Sequence, residues 1–221
     1  MFHPLNHPLE RGWVGRVDEG QVIHLAAQTL QSFFTGGGSA REHAAYQLAE
    51  VCLLAPVLHP PAVRVFDDED TFVFANPAAI VGPRSEVGGS PLELLPRLVG
   101  VVGVEEELAG YTLLADWRRP GLGPPKDRDF ALGLGPLLAT PEELDPGGLE
   151  AAVRVRGEER LRGSFAGFDW AAAREHAAAG TSLRPGDLLA GPPLGVVEGV
   201  EPGHGVEIDV GGIGTLVQRA S

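Results

Sequence analysis

The chain carries one cysteine, one methionine and one lysine among its 221 residues, and each scarcity excludes something. Cys52 can form neither an internal disulfide nor a cysteine-ligated metal cluster, so a reducing, cytoplasmic setting is expected. Lying in the apolar stretch 51–56, it reads as a small buried hydrophobe. Basic residues are few, 17 against 30 acids for a net charge of −13, which argues against nucleic acid and against a polybasic membrane anchor. No apolar run approaches the roughly 18 residues of a membrane span. The opening MFHPLNHPLERGW lacks the basic region followed by an apolar core that marks a signal peptide. Also absent are the phosphate-binding Gly-rich loop ending in Lys-Ser/Thr, His-Glu-x-x-His and Gly-x-Ser-x-Gly. Gly163-Ser164 runs on into Phe165-Ala166 and lacks the nucleophile elbow.

Glycine and proline, by contrast, are abundant at 31 and 19 residues, beside a hydrophobic content of 43%. That combination implies many short strands joined by tight turns. Residues 12–25 read as a hairpin around Asp18-Glu19-Gly20. Residues 26–34 and 39–49 read as helices, the second opened by a Ser39/Glu42 capping box. Residues 50–57 form a short strand, and a small N-terminal α+β domain is expected over 1–60, followed by the main domain over 61–221. In the latter, 63–66 and 72–75 are strands flanking the acidic turn Asp67-Asp68-Glu69-Asp70, read as a solvated turn. Residues 92–104 form a buried strand in which Arg97 is out of place, and 105–109 a short helical link. Thr140-Pro141 looks like a helix start. The alternation in 149–156 predicts a half-buried strand with a partner at 160–162. Residues 170–179 form a helix capped by Asp169 and stopped by Gly180, and strands follow at 205–210 and 214–218.

The candidate functional stretch is 110–136, GYTLLADWRRPGLGPPKDRDFALGLGP. An apolar strand delivers Asp116 near its end, and the loop after it carries Lys126, the one lysine in a chain with sixteen arginines. A carboxylate and an ammonium on neighbouring segments suit a 2-oxo acid. A metal on the carboxylate polarises the carbonyl, and the ammonium neutralises the developing enolate. The seven histidines are scattered and sit in no motif.

Several segments, in order, resemble the fumarylacetoacetate hydrolase family: NPAAIVGP (76–83), AGYTLLADW (109–117), GLGPPKDRDFALGLGP (121–136), LATPEEL (138–144), LRPGDLL (183–189) and GVEIDVGGIGTL (205–216). The resemblance implies an α+β, mostly β fold: a mixed β-roll with a small N-terminal α+β domain. It implies a hydrolase, decarboxylase or isomerase of 2-oxo or 2-oxo-enoic acids in aromatic catabolism, such as homoprotocatechuate breakdown. Mg²⁺ or Mn²⁺ would be held by a Glu-x-Glu pair and an Asp, commonly in a dimer. Asp116 matches the metal Asp and Lys126 the active-site lysine. Arg97, Arg118, Arg128 and Gly191 fall at substrate-contacting positions.

The chain also departs from the family pattern. The Glu-x-Glu positions become Leu95 and Arg97 when aligned on Gly103, or Leu92 and Leu94 when aligned on Gly100. Glu93, the available second metal ligand, is then one residue out of phase, and such a slip turns a strand residue to the other face. The substrate-contacting Gly-Thr-Pro reads Gly191-Pro192-Pro193, and the lid segment is cut down to 67–70. Arg97, facing the site, would take the cation's place and pair with Asp116. Two readings follow: a metal-dependent enzyme acting on a small 2-oxo acid, or a non-catalytic binding or partner subunit working as a homodimer or with an intact homologue. In the second, no metal is needed.

Overall fold

A computed structural model describes residues 1–221. Two small sheets come first in the chain. β1 (Phe2–Pro4) will pair with β5, and β2 (Gly15–Asp18) forms a hairpin with β3 (Gln21–Leu25) across the expected Glu19-Gly20 turn. After β3 comes α1 (Leu30–Thr35), whose N-cap is Thr29, in a reciprocal capping box with Ser32. The second helix expected at 39–49 is instead β4 (Glu42–Gln47), hydrogen-bonded to β3, with Tyr46 opposite Val22. Tertiary packing overrides the helix propensity of Ala44 and Ala45 here. As part of a strand, Tyr46 reaches the small core of Phe2, Val22 and Val51. β5 (Val51–Leu53) completes this region.

The rest of the chain builds two larger sheets. β6 (Val63–Asp68) and β7 (Thr71–Ala75) flank the acidic turn, and the short β8 (Ile80–Val81) and β9 (Glu86–Val87) follow. Next come β10 (Leu92–Val102), β11 (Leu108–Arg118) and β12 (Leu132–Ala139). β13 (Glu150–Val155) and β14 (Glu158–Ser164) form the expected hairpin, and α2 (Trp170–Ala178) is capped by Asp169. β15 (Leu188–Pro193), β16 (Val197–Val200), β17 (Gly205–Val210) and β18 (Gly214–Ala220) close the chain. The eight-stranded mixed sheet runs β7-β6-β15-β10-β11-β12-β8 with β16 also on β10, and the five-stranded one runs β14-β13-β17-β18-β9.

Two expected helical pieces shorten. The link at 105–109 is a single 3-10 turn, Val104–Glu106, before β11 begins. At Thr140 the bonds of a helix start do form, Leu144 N–H to Thr140 O and Thr140 N–H to the Glu143 carboxylate. The helix goes no further because Asp145-Pro146-Gly147-Gly148 intervenes: proline excludes the helical region for the residue before it, and only a 3-10 turn forms.

β10 and β11 are the centre of the molecule because both of their faces are covered. On one face Leu92, Leu94, Leu98, Leu113, Ala115 and Trp117 pack into the larger core with Val153, Ile208 and Leu216 of the five-stranded sheet. On the other, Val99, Val101 and Leu114 join Leu132, Leu134 and Leu188 in a second core, against which Leu30 and Phe34 of α1 pack. A strand buried on both sides reads as a continuous apolar run, as 92–102 does. The sheets are also tied by a polar bond. Trp117 Nε1–H donates to Gln218 Oε1 at 2.7 Å, and the Gln218 amide lies over Gly133, where a Cβ would overlap it. No helix is long and apolar enough to cross a membrane.

Candidate functional site

The register of β10 on β11 places Leu95 opposite Asp116 and Arg97 opposite Leu114. Strand side chains alternate, so Leu95, Arg97, Asp116 and Leu114 share one face. The diagonal pair closes: Arg97 Nε donates to Asp116 Oδ2 at 3.0 Å, with both side chains 1% exposed. The same guanidinium, through Nη1, donates to the Phe66 carbonyl on β6 and the Gly191 carbonyl on β15, each at 3.0 Å. One side chain thus ties four neighbouring strands together, which explains an arginine within an apolar run. Arg118, further along β11 and partly exposed, adds a longer bond to Asp116 Oδ2 at 3.3 Å. Burial pulls the Arg97 guanidinium below its ordinary value, and the Asp116 carboxylate opposes that pull. An arginine stays charged in a folded protein all the same, so this is a buried ion pair. Asp116 Oδ1 and Arg97 Nη2 have no protein partner.

Glu93 requires a correction. It lies on β10 two residues before Leu95 and opposite Arg118, so it shares the face of Arg97 rather than the reverse one. The alignment on Gly103 is therefore the structural one, and the odd-numbered side chains of β10 face Asp116. Glu93 sits diagonal to Asp116 on the other side of Leu95 from Arg97, and its carboxylate forms no metal-ligating group with Asp116.

A divalent metal does not fit these residues. No three of the chain's His, Cys, Asp and Glu side chains group to hold an ion. Where a second and third carboxylate would be needed, Leu95 and Arg97 stand, and Arg97 already takes one oxygen of Asp116. Mg²⁺ in particular needs several hard oxygens at octahedral positions, and a guanidinium beside the one carboxylate repels a dication.

Lys126 and Asp116 are not brought together. The lysine Nζ bonds Asp129 Oδ2 at 2.6 Å, and its side chain is 74% exposed. Its loop is held elsewhere. Arg119 lies over the Phe130 ring at 4.0 Å and donates to the Gly88 carbonyl, and Arg128 pairs with the buried Asp127 at 3.3 Å. Gly191 offers Arg97 a carbonyl and no side-chain hydroxyl, and it lines a space that neither Arg97 nor Asp116 borders; Leu98, from the opposite face of β10, borders it.

That space is a cleft of about 290 Å³, and its lining was only partly foreseen. The acidic turn supplies Asp67, Asp68 and Glu69, β15 supplies Gly191-Pro192-Pro193, and Phe165, Phe168 and Trp170 come from the segment leading into α2. Phe168 and Trp170 meet edge-to-face with centroids 4.8 Å apart. The sequence signal for them was two aromatics around a helix cap, which a core explains equally well.

The comparisons agree with this geometry at the level of the fold. The family pattern described as "Fumarylacetoacetate (FAA) hydrolase C-terminal" matches residues 101–220. Protein Rv2993c of Mycobacterium tuberculosis is 30% identical over 215 residues, covering 77% of this chain and 79% of that protein. The 4-hydroxyphenylacetate degradation bifunctional isomerase/decarboxylase of Escherichia coli is 34% identical over 139 residues, 56% of this chain but 31% of that longer protein. Among solved structures, maleylpyruvate hydrolase from Sphingobium sp. SYK-6, in complex with manganese(II) and pyruvate, superposes with a TM-score of 0.79 at 22% identity, over 96% of each chain. With its mixed β-roll and a sequence match over more than half its length, the chain belongs to the fumarylacetoacetate hydrolase family.

Proposed function

We propose that this chain serves the breakdown of aromatic compounds at the stage of 2-oxo-enoic diacids, as in the homoprotocatechuate pathway, and that it does so as a binding or partner subunit. In this reading it is a cytoplasmic protein that assembles with a second copy or with an intact homologue, and the homologue carries the metal and the chemistry. The observation that carries the reading is the buried pair Arg97–Asp116, in which a protein cation occupies the neighbourhood of the carboxylate a metal would need. The E. coli isomerase/decarboxylase supports it, because the match takes up under a third of that protein and leaves room for a further unit of this size.

A second reading is favoured by the free Oδ1 of Asp116 and by the manganese and pyruvate in the Sphingobium relative. In it the chain is itself a metal-dependent hydrolase or decarboxylase/isomerase, with Lys126 on the substrate and Arg97 displaced from Asp116.

Calorimetry separates the two. Titration with Mg²⁺ or Mn²⁺ is expected to show no saturable site up to about 5 mM, the range of weak protein sites. Leu95→Glu/Arg97→Glu, which sets two further carboxylates beside Asp116 on one face, is expected to acquire one. Saturable binding by the parent chain, together with turnover of a 2-oxo-enoate that Asp116→Ala abolishes, would establish the second reading.

A further inference from the structure

The eight-stranded sheet ends on one side at β7, and nothing blunts that edge. A sheet edge offers free N–H and C=O groups to any strand that approaches, and folded chains protect it with brevity, charge, proline or a bulge. The other outer strands here are protected. β1, β5, β8 and β9 are two or three residues long, and β2, β4, β14 and β16 carry charged side chains. β7 reads Thr71-Phe72-Val73-Phe74-Ala75, with no charge and no proline, and pairs in register with β6 from Ala75 to Phe72. Phe74 is 66% exposed, more than any other large apolar side chain, and Val73 is 47% exposed.

The ladders behind β7 fix which of its backbone groups are free. Leu188 of β15 lies opposite Val63, and its N–H donates to the Ala62 carbonyl at 2.9 Å. In a parallel pair the bonds run to the residues on either side of the opposite one, so Ala62 and Arg64 face β15 while Val63 and Val65 face β7. Ala75 and Val73, their partners, therefore face inward, and the N–H and C=O groups of Phe72 and Phe74 point outward. No backbone hydrogen bond outside the β6 ladder involves residues 71–75. A strand that satisfies this edge needs two outward residues at the same spacing, and β7 itself has them. Turned about a two-fold axis through Val73, Phe72 of one copy lies opposite Phe74 of the other in two hydrogen-bonded pairs, and Val73 meets Val73. The phenylalanines then pair across strands on one face and the valines on the other, covering the side chains that stand exposed in one copy alone.

Charge selects the same register. A chain of net charge −13 resists self-association wherever its acids would face one another. With the axis at Val73, Asp70 and Glu69 at the end of the acidic turn come opposite Asn76 and Pro77 of the other copy, and no carboxylate of the turn faces its own counterpart. We infer that β7 is the surface through which two copies of this chain pair, edge to edge and antiparallel about Val73, joining their eight-stranded sheets into one. The inference rests on the part of the reading above in which a second copy is the partner, and it is independent of whether a metal binds.

The test is the mass of the whole chain in solution, by light scattering on a sizing column at about 50 µM, where a micromolar Kd populates the dimer. The parent is expected to show the mass of two 23.2-kDa chains. Val73→Lys sets two ammonium groups against each other at the axis and is expected to weaken pairing at least about tenfold, while its circular dichroism stays that of the parent because the side chain is exposed. A second variant reads the register. In a Cys52→Ser background, Val73→Cys is expected to form an intermolecular disulfide on mild oxidation, since opposed residues of a pair without hydrogen bonds bring their Cα atoms to about 4.5 Å. Thr71→Cys, which would face Ala75 of the other copy, is expected to stay reduced. A dimer that survives Val73→Lys, or equal cross-linking through positions 71 and 73, would overturn the inference. So would a monomeric parent at this concentration, and a monomer that still pairs with an intact homologue would leave the subunit reading standing while this one fails.

Discussion

Arg97 and Asp116 depend on one another more than either stabilises the fold. Two buried charges lose their hydration, and their attraction in a low-dielectric interior returns roughly what that loss cost. Removing one member strands the other. Asp116→Ala is therefore expected to destabilise the chain by about 3–5 kcal/mol in urea unfolding, and Arg97→Met by a similar amount. The double variant Arg97→Met/Asp116→Leu, which removes both charges at similar volume, is expected to lie far closer to the parent than the sum of the singles. Additive losses would mean that the carbonyls of Phe66 and Gly191, which also lose their donor, dominate instead. The oddity of Arg97 was legible in the sequence, and so was its candidate partner. The sequence did not show that Glu93 shares their face, because two alignments with opposite parity fitted the residues equally well.

Among the elements, α2 was read correctly because its signals are local. Asp169 accepts from the N–H groups of Ala171 and Ala172, each at 3.0 Å, and Gly180 takes the left-handed conformation just past the end. Asp169→Ala is expected to cost about 1 kcal/mol in thermal or chemical unfolding. Glu69 bonds the Asp169 backbone N–H, which alanine retains, so Asp169→Asn should recover most of the loss. β4 was misread for the opposite reason. Ser39, Glu42 and two alanines imitate a helix start, and only the ladder to β3 and the contact of Tyr46 with Phe2, ring centroids 5.7 Å apart, decide for a strand. The aborted helix at Thr140 lies between these cases, with a correct start signal and a stop signal only a turn later.

For the whole molecule, part of the response to acid follows from one histidine pair. His24 stacks on Trp13 with ring centroids 4.6 Å apart, and the His43 ring lies 5.0 Å from it. Burial, and after it the charge of His43, holds the His24 pKa below its ordinary 6.5. The folded chain thus takes up this proton less readily than the unfolded chain. This group leaves stability unaffected above pH 6.5 and lowers it as the pH drops from 6.5 toward the lower folded value. The melting temperature is expected to decline between pH 7 and pH 5. His43→Gln, which removes the neighbouring charge, is expected to make that decline shallower. An unchanged slope would assign the acid sensitivity to other groups.

The sequence by itself determined the fold family, because short strands, turn residues and ordered segments such as 121–136 and 205–216 are local chemistry that survives substitution elsewhere. It also named Asp116 and Arg97. Only the tertiary structure decided what those residues do together. Strand parity and register set which side chains share a face, and they place Arg97 on Asp116, leave Lys126 on Asp129, and bring an acidic turn and two aromatics from a hundred residues away around one cleft. Such contacts depend on which strands become neighbours, and neighbours in a mixed sheet are chosen by the packing of the whole core rather than by any one stretch of chain.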